Sequence, residues 1–238
     1  MRILRYLPLI ICSIQFACSQ QLEIKNLTGN YYLFTTYQQI DGQRFPANGL
    51  YLATDEGIVM IDSPWDQTQI QPLLDSIQKR HNKKVVLCLA THYHNDRTGG
   101  FDYLKSKGVK TYSSLQTLKL CHKYNEQKAQ FTFKNDTVFN IGGYSIQTCY
   151  PGRGHTNDNI LVWFSHDQIL YGGCFVKSTE SQTLGNLKDA DLHSWPKSLR
   201  KAMKQFPHPK YVIPGHQGWQ SNDGLSHTLQ LLRDHKKH

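Results

Sequence analysis

The pattern of apolar and polar positions opens on short β-rich runs near the start of the chain: Tyr31 to Tyr37, Leu50 to Thr54 and Gly57 to Ile61. Turn residues at Asp41-Gly42 and Asp55-Glu56-Gly57 separate them, and runs bounded in this way predict strands joined as hairpins. The pattern then becomes helical. Ile70, Leu73, Leu74 and Ile77 recur at helical spacing, predicting a helix from Asp66 to His81 that tolerates Pro72 because it falls near the start. The next run, Val85-Val86-Leu87-Cys88-Leu89-Ala90, is apolar without a break, the pattern of a strand covered on both faces.

Beyond it the pattern predicts a helix from Phe101 to Lys107 ended by Gly108, a strand from Val109 to Tyr112, and a helix from Leu115 to Asn125. Strands follow at Thr137 to Ile141, at Tyr144 to Tyr150 across Gly142-Gly143, at Asn159 to Phe164, and at Ile169 to Gly172 across His166-Asp167. A helix from Ser194 to Phe206 places Trp195, Leu199, Met203 and Phe206 on one face; a strand from Lys210 to Ile213 and a helix from Leu225 to His235 complete the chain. Two segments, Leu87 to His92 and Tyr211 to His216, each run a strand straight into a histidine. This echo points to two βα halves in one domain with helices outside, an α/β four-layer αββα sandwich.

The composition, 39% hydrophobic and 19% charged over 238 residues, excludes disordered, collagen-like and polytopic membrane classes. The net charge of +9 changes the picture little. Its densest runs, Lys79-Arg80-His81, Lys83-Lys84 and Lys236-Lys237, sit at helix ends and the tail, and no binding motif accompanies them, so no nucleic-acid partner is expected. The first residues differ from the rest. Arg2 and Arg5 precede an apolar run from Tyr6 to Phe16 and the small residues Ala17-Cys18-Ser19, the form of an export signal too short to span a membrane.

The expectation is therefore a signal peptide over 1–19 and a single domain over 20–238, delivered to the periplasm without a membrane span. Lipid anchoring at Cys18 is the lesser alternative, because Gln15-Phe16-Ala17 fit a lipobox poorly. Export invites disulfides among Cys88, Cys121, Cys149 and Cys174. Cys88 and Cys149 argue against that, since both fall inside strands where cysteine serves as a small apolar residue.

Candidate chemistry concentrates in Thr91-His92-Tyr93-His94-Asn95-Asp96-Arg97-Thr98-Gly99-Gly100, where two imidazoles and a carboxylate recur at every second residue as a strand opens into a loop. In extended chain they project to one side and can converge, and imidazole with carboxylate suits zinc. Three more metal-type side chains stand beside glycine near strand ends: His155 in Gly152-Arg153-Gly154-His155-Thr156, Cys174 after Gly172-Gly173, and His216 after Pro214-Gly215. Each alone reads more readily as a hydrogen-bonded histidine or buried thiol. Together the six donors suffice for two open zinc sites of three protein ligands each.

These residues, with Ile61-Asp62-Ser63-Pro64-Trp65, Lys177-Ser178 and Leu184-Gly185-Asn186 in the same order, resemble the zinc metallo-β-lactamases, class B, first subclass, over nearly the whole mature chain. The resemblance implies His92, His94 and His155 on one zinc and Asp96, Cys174 and His216 on a second. Arg97 and Cys174 separate this pattern from other hydrolases of the superfamily, which place His and a bridging Asp there. The resemblance further implies Lys177 as the cation meeting the substrate carboxylate, Asn186 as a donor to the lactam carbonyl oxygen, and Asp96 as the group that orients the nucleophile. It places an exposed Phe45 on a flap near Asp41. The expected activity is hydrolysis of the β-lactam ring of penicillins, cephalosporins and carbapenems by a zinc-bound hydroxide, in a monomeric enzyme conferring antibiotic resistance. The alternative is a hydrolase of the same fold acting on thioesters or phosphodiesters.

Overall fold

The computed structural model describes residues 22–134 and 136–237. Strands β1 (Glu23–Thr28), β2 (Tyr31–Ile40), β3 (Gln43–Thr54) and β4 (Gly57–Ile61) form an antiparallel meander. Asp41 (φ 49°) and Gly42 (φ 77°) close the β2–β3 hairpin, the two-residue turn with positive φ at both positions that matches the strand twist. From β4 the sheet continues in parallel through β5 (Val85–Leu89), β6 (Lys110–Ser114) and β7 (Phe131–Phe133), giving seven strands in sequence order. The second sheet holds β8 (Val138–Ile141), β9 (Tyr144–Cys149), β10 (Leu161–Phe164), β11 (Ile169–Gly173) and β12 (Tyr211–Pro214), with β12 parallel to β11 at one edge.

Six α-helices flank the sheets among the described residues: α1 (Ile70–His81), α2 (Asn95–Thr98), α3 (Phe101–Ser106), α4 (Leu115–Tyr124), α5 (Trp195–Gln205) and α6 (Gly224–His235). The predicted start of the first helix at Asp66 is instead a 3-10 turn, Gln67–Gln69, capped by the Asp66 carboxylate accepting from Thr68 N. Pro72 then falls in the first turn of α1, where it costs no hydrogen bond. Asn82 ends α1 in the left-handed conformation.

Strand alternation builds the layers. Val59, Ile61, Leu87 and Leu89 point inward and meet Ile146, Val162, Tyr171 and Ile213 from the facing sheet. Their neighbours Ile58, Met60 and Cys88 point outward onto Leu73, Ile77, Phe101 and Leu104 of α1 and α3. On the far side Leu161 and Leu170 meet Trp195, Leu199, Leu225 and Leu229 of α5 and α6. The order helix, sheet, sheet, helix is the αββα sandwich the pattern predicts. Cys88, Cys121, Cys149 and Cys174 are all unpaired and buried. No described helix is long and apolar enough to cross a membrane.

Candidate metal centre

The chain leaves β5, β11 and β12 at their carboxyl ends, and the loops that follow converge with the loop preceding β10 at the seam between the sheets. His92 and His94 come from the β5 loop, His155 from the loop before β10, Cys174 directly after β11 and His216 two residues after β12. The expectation that extended chain carries Asp96 alongside the two histidines is corrected here. The chain is extended only as far as His94 (φ −61°, ψ 151°), and Asp96 lies in the first turn of α2. The helical turn carries its carboxylate toward Cys174 and His216.

His94 Nδ1 lies 3.1 Å from His92 Nε2 and 3.2 Å from His155 Nε2. In the second group His216 Nε2 lies 3.1 Å from Asp96 Oδ2 and 3.2 Å from Cys174 Sγ, with Sγ 3.4 Å from that same carboxylate oxygen. Tetrahedral zinc with nitrogen ligands at about 2.0–2.1 Å sets its donors about 3.3 Å apart, and sulfur at about 2.3 Å widens that to about 3.5 Å. The separations within the two triads given above, 3.1–3.4 Å, lie close to these values. Asp96 joins them, its Oδ1 standing 3.9 Å from His92 Nε2.

The outer nitrogens of His92, His94 and His216 have partners that fix which lone pairs face inward, whereas His155 Nδ1 is buried with no partner among the described residues. His216 Nδ1 donates to Pro46 O at 2.7 Å, and His94 Nε2 donates to Asp189 Oδ2 at 3.2 Å. The Thr91 hydroxyl donates to Asp62 Oδ2 at 3.0 Å and accepts from His92 Nδ1 at 3.3 Å. Such partners select the tautomer that leaves the inner nitrogen free for a metal. A close glycine also matters. A Cβ on Gly215 would stand 2.8 Å from Cys174 Sγ, so only glycine lets the β12 loop pass beside the thiol.

Beneath the second triad lies Arg97, buried and multiply engaged. Its Nη2 meets Asp96 Oδ2 at 2.9 Å, Gly215 O at 2.9 Å and Cys174 Sγ at 3.0 Å, while Nη1 donates to Asn48 O at 2.7 Å and to Asp62 at 3.3 Å. Burial alone would raise the Asp96 carboxyl, but the guanidinium and the imidazoles hold it well below the usual range. Burial pushes the Cys174 thiol up, opposed by Arg97, and a metal ion displaces its proton. Burial holds His92 and His155 well below the usual histidine range, with neighbouring cationic groups adding to it, so both imidazoles are neutral, the form that can bind a metal.

A cleft of about 610 Å³ opens above the donors. Ile40, Phe45, Trp65 and Val176 form its apolar lining, and Lys177, Asn186 and Gln217 are among its polar lining residues. Phe45 is half-buried rather than exposed: its ring centroid stands 5.1 Å from that of His216 and 6.3 Å from that of Trp65. Lys177 is 8% exposed with Nζ 5.5 Å from the Trp195 ring centroid, and burial draws its ammonium below the usual lysine range. No hydrogen-bond acceptor among the described residues engages that ammonium. Asn186 is exposed at the rim, with Oδ1 accepting from Lys188 N at 3.0 Å and Nδ2 directed to no described protein acceptor.

Sequence reasoning assigned no role to Asp62, Asn48, Tyr171 or Asp189. Asp62 is fully buried at φ 62°, accepts from Thr91 N at 2.7 Å, and is pushed up to about 6 by burial against the pull of Arg97. Its signal was present, a carboxylate closing the wholly apolar run Gly57 to Ile61. Asp189 carried no comparable signal, since it reaches His94 across 95 residues.

Fold and site together define a two-metal sandwich protein: the Asp96–Cys174–His216 triad and the His92 and His155 nitrogens gathered on His94 present donor types that suit a pair of zinc ions. A family model described as the metallo-beta-lactamase superfamily matches residues 42–216. The metallo-beta-lactamase type 2 of Elizabethkingia meningoseptica is 42% identical over 217 residues, covering 91% of this chain and 87% of its own. The metallo-beta-lactamase IND-1 of Chryseobacterium indologenes is 38% identical over 209 residues, covering 88% and 86%. The solved metallo-beta-lactamase from Pontibacter korlensis superposes with a TM-score of 0.87 at 36% identity, covering 90% of this chain and 100% of that one. The chain belongs to the metallo-beta-lactamases.

Proposed function

We propose that this protein hydrolyses the β-lactam ring of penicillins, cephalosporins and carbapenems, acting as an exported periplasmic enzyme. The observation that carries the reading is Lys177: a buried cation, without an acceptor among the described residues, lining the same cleft as Asp96 and His216 of the second donor triad. Every such substrate carries a carboxylate next to its ring nitrogen, and a desolvated ammonium recognises it as a point charge. The chemistry that zinc supplies when bound is Lewis-acid polarisation of the amide carbonyl and activation of water near neutral pH.

The chain's own groups do the rest. Lys177 holds the substrate carboxylate and so turns the ring toward the donors. Asn186 Nδ2 at the rim is available to the carbonyl oxygen as negative charge gathers there. Asp96, kept ionised by Arg97, is placed between the triads to orient the attacking water and to pass its proton to the ring nitrogen as the C–N bond breaks. Phe45, Ile40 and Trp65 supply an apolar wall for the substrate's side chains.

Export rests on the leader over 1–19, which lies outside the described residues, and the mature domain is taken as 20–238. The test is carbapenem hydrolysis by the purified mature protein, followed by ultraviolet loss of the ring chromophore, with chelator and with zinc restored. Loss that a chelator stops and zinc restores is expected; no hydrolysis by fully zinc-loaded protein overturns the proposal.

A further inference from the structure

The segments carrying Cys174 and His216 leave adjacent parallel strands, β11 and β12, and are joined at their base by Gly215 N donating to Gly173 O at 2.8 Å. They are joined a second time on the far side of the two ligands. Gly218, two residues beyond His216, has both backbone polar groups held by the Cys174 segment: the Ser178 hydroxyl donates to its carbonyl at 2.6 Å, and its N–H donates to Glu180 Oε2 at 2.9 Å. Glu180 N in turn donates to Ser178 Oγ at 3.1 Å, so the two side chains act as one unit. Base ladder and outer bonds close a frame, and Cys174 and His216 face each other inside it.

Between ligand and clamp stands Gln217, in the left-handed region at φ 61°. A residue with a side chain holds that conformation only where its surroundings impose it. The surroundings here are Asn48 Nδ2, donating to Gln217 O at 2.8 Å, and the doubly held Gly218 that follows. Asn48 and Pro46 tie the His216 loop to the other sheet. Beyond the strand ladder, Ser178 and Glu180 tie its Gly218 to the segment that carries the thiol, and the Ser181 hydroxyl of that segment donates to Gln217 Oε1.

We propose that Ser178 and Glu180 are positioning residues of the second metal site, clamping Gly218 so that His216 and Cys174 keep a metal-ready separation. The proposal rests on the reading of Asp96, Cys174 and His216 as metal donors. Preorganisation of this kind lowers the cost of ordering ligands when the ion binds, so its loss weakens the second site and leaves the first as it was.

The experiment is cobalt(II) titration of the metal-free protein, following the near-ultraviolet thiolate-to-cobalt band that only Cys174 ligation produces, with chelator competition for both binding steps. Partners directly on a ligand are worth about 10–100-fold in metal affinity, and Glu180 acts through the backbone, so Glu180→Ala is expected to weaken the thiolate-reported step by about tenfold. Glu180→Gln keeps an acceptor for Gly218 N and restores the affinity. Ser178→Ala weakens the same step further. If Glu180→Ala titrates like the wild type, or weakens both steps equally, the clamp is overturned while the site reading stands. A wild type that never develops the thiolate band overturns the site reading and the clamp with it.

Discussion

Arg97 Nη2 lies 3.0 Å from Cys174 Sγ, inside the protein, where no water competes for the contact. The same guanidinium meets Asp96 and Asp62, so one buried cation balances two carboxylates and a prospective thiolate. Removing it strands all three. Arg97→Ala is expected to cost about 3–5 kcal/mol of stability, and Arg97→Lys recovers little because an ammonium cannot reproduce the fork. Urea unfolding of the three proteins checks this; a variant within 1 kcal/mol of wild type refutes the assignment.

The ammonium of Lys177 acts on substrate binding more than on chemistry. A hydrogen bond to a charged group contributes about 1.5–3 kcal/mol, so Lys177→Ala is expected to raise KM roughly 10- to 150-fold while kcat changes by no more than a few-fold. Steady-state kinetics on one penicillin and one carbapenem decide it. A loss confined to kcat would remove the carboxylate role.

Cys174→Ser replaces a soft thiolate by a weak hydroxyl donor in the second triad. Turnover is expected to fall sharply at limiting zinc and to recover in part at excess zinc. Wild-type activity at limiting zinc would show that Cys174 does not serve the metal.

Asp189 orients His94 from behind, so its loss is felt at the first triad. Asp189→Ala is expected to weaken the first-site metal by about 10–100-fold, and Asp189→Asn less, because its carbonyl oxygen still accepts from His94 Nε2. Chelator competition measures both.

The metal-free protein should lose stability in mild acid. His92, His155 and His216 are depressed in the fold, so below about pH 6.5 the unfolded chain binds protons that the folded chain refuses. Their contribution is present above that pH and lost as pH falls; Asp96, also depressed, acts in the same direction at lower pH. Asp62, raised to about 6, acts the other way between about pH 4 and 6, since the folded chain takes up that proton first. Asp158, also raised by burial, acts as Asp62 does, and the three imidazoles outweigh the two carboxyls. Calorimetry is expected to give a Tm roughly 5 °C lower at pH 5.5 than at pH 7.5.

The layers were legible in the sequence because the strands and helices that make them bury continuous or strictly periodic apolar faces. Elements with little to bury escaped: β1 is an edge strand with Lys25 and Asn26 exposed, and β7 is a three-residue edge strand with Phe131 exposed. The six donors were legible for two reasons: His92, His94 and Asp96 recur at every second residue after a strand, and His155, Cys174 and His216 stand beside glycine near strand ends. The structure brings them together in the two groups the family resemblance implies. What holds them was not, since Asp189 to His94, Asn48 to Gln217 and Asp62 to Arg97 join residues whose pairing only the folded topology creates. Asn186 illustrates the remainder: its loop-capping bond to Lys188 N is in place, and its part in chemistry rests on one unengaged amide group.

Each donor triad straddles the seam of the sandwich. His92, His94 and Asp96 extend from the first sheet, whereas His155, Cys174 and His216 extend from the second. An ion in either triad is therefore a rivet between the two halves of the chain as well as a reagent. By mass action, free metal at a thousandfold above its dissociation constant adds about 4 kcal/mol to the folded state per site. Metal scarcity would thus shorten the molecule's survival against proteases as well as silence it, because the halves would part more often.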